Sequence, residues 1–420
     1  MSDAPVRLRK AERRQVEICT ASLDDMLDPE HRVRLVWRYI QGLDMSAFHA
    51  DIKAVGGQPG RDATDPRILL CLWVVALSEG IGSARRLTVL CERDIVFRWI
   101  CGGVTVNRDL LAAFRASNGK KLDEVMSQTV AALMHAGVVT LNAVAQDGMK
   151  VRASAGAASF RREKTLEECL AQAREQVAAL KRELEADESA MTRRDAARQR
   201  AADEKLAAIQ RAMDEMPAVV AAKEAQKNKG RAKQSEPRVS TTDAEARVMK
   251  MPDGGFRPAY NPQFATDVES GIIVGVHVTN EGTDAQQAEP VIADIMKRFG
   301  RPPLQYLFDG GYVNNLNITS LTEAGIEVFA PPRKPRTDGV DPYEPQPKDT
   351  PEAVEWRQRM KTDRGRETYK QRASTAERIN ANLREMGLRQ VAVRGLAKVT
   401  SAVLLSALAF NILRAVALLG

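Results

Sequence analysis

Three acidic residues stand where a chain can display a carboxylate. Asp147 lies in Val-Ala-Gln-Asp-Gly, Asp309 in Tyr-Leu-Phe-Asp-Gly-Gly-Tyr, and Glu377 in a basic helical stretch. Each aspartate ends or follows a short apolar run and has glycine directly after it. That is the pattern of a carboxylate leaving a strand end where the backbone turns sharply. Mg²⁺ takes oxygen ligands in near-octahedral geometry, through a few carboxylates, waters and phosphate oxygens. Two such ions, about 3.5–4 Å apart, can activate an attacking oxygen and steady a leaving one at a phosphodiester. Three carboxylates from distant segments suffice for that. A lone aspartate before glycine is more often a turn residue, so the assignment depends on the elements that position it.

At 420 residues the chain has length for two or three domains and a substantial core without disulfides. The five cysteines, Cys19, Cys71, Cys91, Cys101 and Cys169, are odd in number and form no C-x-x-C pair, so they read as thiols of a reducing cytosol. None of the four histidines is spaced for zinc. The charged N-terminus has no apolar core of signal-peptide type. Val399 to Phe410 is apolar, but Lys398 precedes it and Asn411 and Arg414 follow, which leaves it short for a bilayer and suits a buried closing helix. A cytoplasmic protein with no membrane partner is expected. The net charge of +7 and pI of about 9.1 favour a polyanionic partner. Basic residues crowd Arg7 to Arg14, Arg333 to Arg336 and the approach to Glu377 from Arg357 to Arg372. Such groups beside an acidic site would hold a phosphate backbone there.

Residues from about Pro29 to Gly137 read as a compact helical unit. Asp65-Pro66 starts one helix, and Ser83 and Asn107 are caps for two more. Val138 to Val151 is rich in β-branched residues and should hold the first strand. Arg161 to Glu215 lacks glycine and proline and must be helical. Its apolar stripe lapses between Asp187 and Ala201, which favours an antiparallel hairpin over one long helix; Ala222 to Pro237 reads as a solvated linker. A strand hairpin follows at Gly255–Thr266 and Gly271–Thr279, then a helix, a strand at Pro303–Phe308, a helix, a strand at Ile326–Ala330 and a last basic helix with Glu377. Three other aspartates, Asp243, Asp267 and Asp284, fall in a linker, a hairpin loop and a post-strand turn, where capping or turn roles suffice.

This mixed α/β order, with acids on the first and fourth strands and a late helix, resembles the RNase H-like core of DDE transposases, particularly those of bacterial insertion sequences. Asp147-Gly-Met-Lys-Val-Arg-Ala-Ser resembles the family's first-aspartate segment and Asp309-Gly-Gly-Tyr312 its second. Tyr369, Arg372, Glu377 and Arg384 resemble the Y-R-E-K signature, with two departures: four residues rather than three separate Arg372 from Glu377, and arginine replaces the final lysine. Residues 31 to 130 resemble the N-terminal helical domain of many such transposases.

The resemblance implies an α/β fold with a basic N-terminal arm (1–30), a helical, DNA-binding domain (31–137) and an RNase H-like catalytic domain (138–420) interrupted by a coiled-coil-like insertion and linker (161–238). It implies Asp147, Asp309 and Glu377 as catalytic residues and ligands of two Mg²⁺ ions, with Mn²⁺ as substitute. Tyr369, Arg372 and Arg384 are then expected on DNA phosphates, assisted by Lys150 and Arg152. Double-stranded DNA and a second copy of the chain are the expected partners. No Ser/His or Cys/His constellation competes with direct phosphoryl transfer. Two other readings stay open: a non-catalytic DNA-binding or oligomerising relative, and a metal-dependent nuclease without strand transfer.

Overall fold

The computed structural model describes residues 20–54, 62–186, 193–228, 236–334 and 339–419; the basic cluster from Arg7 to Arg14, Cys19, Gly56-Gly57 and Arg336 lie outside them. The first part is helical: α1 (Arg32–Gln41), α2 (Ser46–His49), α3 (Pro66–Ser78), α4 (Ala84–Arg93), α5 (Ile95–Cys101), α6 (Arg108–Ser117) and α7 (Gly119–His135). The expected caps form. Asp65, Ser83 and Asn107 accept from the amides of Arg67, Arg86 and Leu110, meeting donors that a helix start leaves unpaired.

The sheet begins with β1 (Ala143–Gly148) and β2 (Val151–Arg152). Next, β3 (Phe160–Arg161) and β4 (Val239–Ser240) pair antiparallel, so the segment between them leaves and re-enters at one place. That segment is α8 (Glu163–Ala186) and α9 (Arg193–Asn228). Arg198 pairs with Glu183 on the preceding helix, while the later Lys205 reaches the earlier Gln176; partner numbers fall along α8 as they rise along α9, so the two run antiparallel. Their seam is apolar, with Leu166, Ala173, Ile209, Ala212 and Met216 buried. Of the expected lapse at Asp187 to Ala201, residues 193–201 belong to α9 and residues 187–192 fall outside the described ones. The linker expectation needs correction: residues 222–228 continue α9, because Ala, Lys and Gln favour helix as readily as solvation.

After β5 (Arg247–Lys250), β6 (Phe256–Asp267) and β7 (Ile273–Thr279) come α10 (Ala288–Phe299), β8 (Gln305–Leu307), α11 (Asn315–Glu323) and β9 (Glu327–Phe329). In the main sheet β7, β6, β1, β8 and β9 lie side by side. β6 is antiparallel to both neighbours, and β1, β8 and β9 are mutually parallel. The long β6 also pairs with β2 and β5. This is a mixed α/β, RNase H-like sheet with a helical N-terminal region. Asp267 fulfils its expected turn role: fully buried, it accepts from Leu141 N and from Ser270 N and Oγ, tying the β6–β7 turn to the approach of β1.

The chain ends in α12 (Pro351–Lys361), α13 (Asp363–Arg372), one π-helical turn (Ala373–Glu377), α14 (Arg378–Glu385) and α15 (Leu396–Leu419). At 24 residues α15 is long and apolar enough to cross a membrane, so the expectation that it is too short is wrong. Its role as a buried closing helix stands, because it packs against α1, α3, α6, α7 and β7 and is apolar on every side, as a core helix is. Its one buried amide, Asn411, donates to Ile273 O and accepts from Ile273 N, bonding to the edge of β7 away from β6.

Candidate active site

Strand register brings the first two carboxylates together. β1 and β8 are parallel, with Ala143 opposite Gln305 and Ala145 opposite Leu307; carried two residues past the last paired position, that register sets Asp147 level with Asp309. Parallel neighbours lie about 4.8 Å apart and matched positions point to the same face. Asp309 stands in the loop directly after β8. Its Oδ1 accepts the Gly311 N–H at 2.7 Å, and Arg333 holds that loop by donating to Gly310 O and Gly311 O at 2.8 and 2.7 Å.

The glycines have a different reason from the one the sequence suggests. None of Gly148, Gly310 and Gly311 has positive φ. A Cβ on Gly148 would lie 2.4 Å from Gln263 Nε2 and 2.6 Å from Asp284 Oδ1, and one on Gly311 would lie 2.8 Å from Asp309 Oδ1. Gly148 and Gly311 are glycine because polar groups pack onto their Cα atoms, whereas a Cβ on Gly310 would meet only ordinary contact, 3.5 Å from Pro331 O. The packed groups form a network behind Asp147: Tyr306 Oη donates to Gln146 Oε1, Gln146 Nε2 to Gln263 Oε1, and Gln263 Nε2 to Asp284 Oδ1. Asn261 Nδ2 and Lys150 Nζ also reach Asp284 Oδ1, at 2.8 and 3.2 Å. Asp284 is therefore no mere turn residue, and Lys150, expected on a phosphate, is committed to it with only 14% of its side chain exposed. Asp243 likewise does more than cap a linker: it is buried and accepts from Tyr260 Oη and Gly395 N.

The third carboxylate comes on the helix that crosses β1 and β6. Arg372 is its anchor, with Nη2 3.0 Å from Asp147 Oδ1 and Nη1 3.8 Å from Glu377 Oε1. The π turn makes this possible. In a regular α-helix five residues rotate about 140° past a full turn, whereas four rotate about 40°. One extra residue between Arg372 and Glu377 would thus swing the two apart. A π turn closes on i+5 instead of i+4, absorbs that residue and keeps both on one face. The departure from the simplest signature is thereby compensated locally.

Electrostatics follow from this packing. Burial pushes the Asp147 carboxyl above its ordinary value; Arg372 opposes that, and Asp309 adds to it. Burial works against the charge on Arg372, but Asp147, Tyr369 and Asp309 outweigh it, and the guanidinium is held more firmly protonated than usual. Its Nε is buried without an acceptor. Tyr369, half-buried one turn earlier, has its phenol raised chiefly by burial. Glu377 keeps 66% of its side chain exposed.

Oxygen donors of this type fit Mg²⁺, which commonly needs only one or two carboxylates besides waters and phosphate oxygens. Asp147 and Asp309 meet that requirement in kind. Among the described residues no three His, Cys, Asp or Glu side chains are gathered closely enough to hold one ion, so the expected three-carboxylate set is not preassembled. The cation in its midst is Arg372. Arg384 lies two turns beyond Glu377, partly exposed, and Arg152 is exposed on β2; neither makes an ion pair among the described residues. Sequence reasoning missed Asn380, whose Nδ2 donates to Asp147 Oδ2 at 2.9 Å. Its signal was a lone amide on the buried stripe with Ile379 and Leu383.

Two family models match the chain, one described as a transposase domain (DUF772) over residues 21–117 and one as a transposase DDE domain over residues 344–416. The second spans Tyr369, Arg372, Glu377 and Arg384; Asp147 and Asp309 lie outside it. No curated protein and no solved structure gives a match. Both matched regions are transposase domains, one on each side of a sheet with the RNase H-like order, and together they support an insertion-sequence transposase of the DDE type.

Proposed function

We propose that this chain cleaves the ends of an insertion sequence and joins them to target DNA by metal-dependent phosphoryl transfer, with Asp147, Asp309 and Glu377 as the catalytic residues. The observation that carries the reading is the alignment of Asp147 with Asp309 across parallel strands, with Arg372 linking Asp147 to Glu377. Divalent ions, Mg²⁺ or Mn²⁺, bound to these carboxylates would supply the Lewis acidity that activates the attacking oxygen and steadies the leaving one. The protein contributes position and charge. Asn380 and Gly148 N–H fix the Asp147 carboxylate, Gly311 N–H and Arg333 fix the Asp309 loop, and Arg372, buried against Asp147, contributes positive charge to the site. Tyr369, Arg384 and Arg152 flank the path of the strand.

In the first step water attacks the phosphodiester at the element's end, releasing a 3′-hydroxyl and leaving a 5′-phosphate. In the second, that hydroxyl attacks a target phosphodiester and displaces a target 3′-hydroxyl, so bonds are exchanged without a protein-linked intermediate. We assign residues 31–137 to DNA binding and residues 138–420 to catalysis, interrupted by the 161–238 insertion, with the 1–30 arm as a further basic contact. Two element ends call for two protomers, acting on chromosomal DNA in the cytoplasm. Expressing the chain beside its own locus with flanking DNA tests the reading. Excised and reinserted DNA from wild type, absent with Glu377→Ala, is the expected result. Broken but never joined DNA would make the chain a nuclease, and DNA binding without breakage would make it a non-catalytic relative.

A further inference from the structure

The turn between α3 and α4 abuts the end of α14. Gly80 has φ +69°, and a Cβ on it would lie 3.0 Å from Glu385 O; a Cβ on Gly387, at φ +93°, would lie 3.3 Å from Gly80 O. Backbone therefore meets backbone where the helical N-terminal region touches the helix that leads away from Glu377. Five arginines lie on the segments that meet at this junction. Arg85 and Arg86 are exposed in the first turn of α4. Arg384 ends α14, Arg389 Nε donates to Arg384 O, and Arg152 N donates to Arg389 O. None of the five has an ion-pair partner among the described residues; Glu79 and Glu385 are the acids on the adjoining segments.

Guanidiniums without an acidic partner on adjoining segments gain most from polyanion contact. We propose that Arg85 and Arg86, joined to Arg152, Arg384 and Arg389 across the Gly80–Gly387 junction, form one phosphate-binding patch that grips duplex DNA immediately beside the cleavage point. The proposal rests on DNA being the substrate and adds where the N-terminal region holds it. From Glu377 to Arg384 the helix rises roughly 10 Å, which corresponds to about three nucleotides of duplex at 3.4 Å per nucleotide along one strand. The patch thus addresses the terminal base pairs of the element, and α4 begins where the catalytic helix ends.

The test is the salt dependence of binding to a labelled 30-bp duplex of mixed sequence, comparing wild type, R85Q/R86Q, R85K/R86K and a hairpin control, K181Q/R182Q. Each lost phosphate contact lowers the log–log salt slope by about 0.9. The glutamine pair should flatten the slope by about 1.8, which makes its affinity loss between 50 and 200 mM salt roughly tenfold smaller than that of wild type. The lysine pair and the hairpin control should keep the wild-type slope. On a duplex carrying the cleavage point chosen by wild type, hydroxyl-radical protection should be lost within about three nucleotides of it in the glutamine pair. An unchanged slope in a glutamine variant of a wild type that binds and cleaves DNA overturns this inference alone. A wild type that binds no duplex overturns it together with the transposition reading.

Discussion

Arg372→Gln separates the two roles of the central guanidinium. Arg372 has 8% of its side chain exposed, sits 3.0 Å from a carboxylate that is itself 20% exposed, and is the cation among Asp147, Asp309 and Glu377. Removing one partner of a buried ion pair costs about 3–5 kcal/mol. Asp147 keeps hydrogen bonds from Gly148 N and Asn380 and some solvent, so the lower end applies, about 3 kcal/mol. Spread over a domain of this size, that is a drop of about 5–10 °C in thermal midpoint. The loss should be greatest in EDTA and shrink with millimolar Mg²⁺, because a bound ion replaces the missing positive charge and stabilises by mass action. Wild type, with its own cation in place, should gain less from the same Mg²⁺. A double-mutant cycle with Asp147→Asn should return a coupling of about 1–3 kcal/mol. Equal midpoints for wild type and variant in EDTA, or an Mg²⁺ response no larger in the variant, would refute the idea that Arg372 neutralises the acidic site.

Other consequences are simpler to check. Deleting Ser374, an exposed residue of the π turn, should convert it to regular helix, keep Arg372 and Glu377 on one face at i+4 and leave DNA cleavage within about threefold of wild type, since four residues advance about 40° past a turn; complete loss would show that the π turn itself is needed. Gly148→Ala must displace Gln263 or Asp284, so cleavage should fall by about tenfold or more, in line with the sensitivity of catalysis to ~1 Å misplacement, while far-ultraviolet circular dichroism stays unchanged. Burial lowers the His277 imidazole below its ordinary value. The folded state therefore favours the neutral ring, and its contribution to stability is whole above the unfolded pKa of about 6.5 and lost as pH falls through the lower folded value. His277→Gln should flatten the acid limb of a midpoint-against-pH curve, and an identical limb would refute the assignment.

Much of this arrangement was legible in sequence because it rests on local rules. Helix caps at Asp65, Ser83 and Asn107, the β6–β7 hairpin and the breaks around β8 and β9 are written in residues a few positions apart. The approach of Asp147 and Asp309 was legible only as a shared motif, since the parallel register of β1 and β8 depends on the whole intervening chain. What escaped was non-local. Lys150 looked like a phosphate contact until its partner Asp284, far along the chain, came into view. Gly148 looked like a turn glycine because the crowding on its Cα comes from β6 and the loop before α10. The length of α15 was underestimated because Lys398 and Asn411 read as boundaries, whereas Asn411 is buried by bonding to the edge of β7. The π turn showed in the sequence only as one surplus residue, and its meaning required the positions of Arg372 and Glu377 in space.

We propose that Asp147, Asp309 and Glu377 jointly hold the catalytic ions. The most direct test replaces Mg²⁺ with Fe²⁺ on the DNA-bound protein and maps where locally generated hydroxyl radicals cut the polypeptide. Cuts clustered next to Asp147, Asp309 and Glu377, competed away by Mg²⁺ and abolished by combined Asp147→Asn and Asp309→Asn substitution, are predicted. Cuts confined to other segments, or unaffected by those substitutions, would contradict the account.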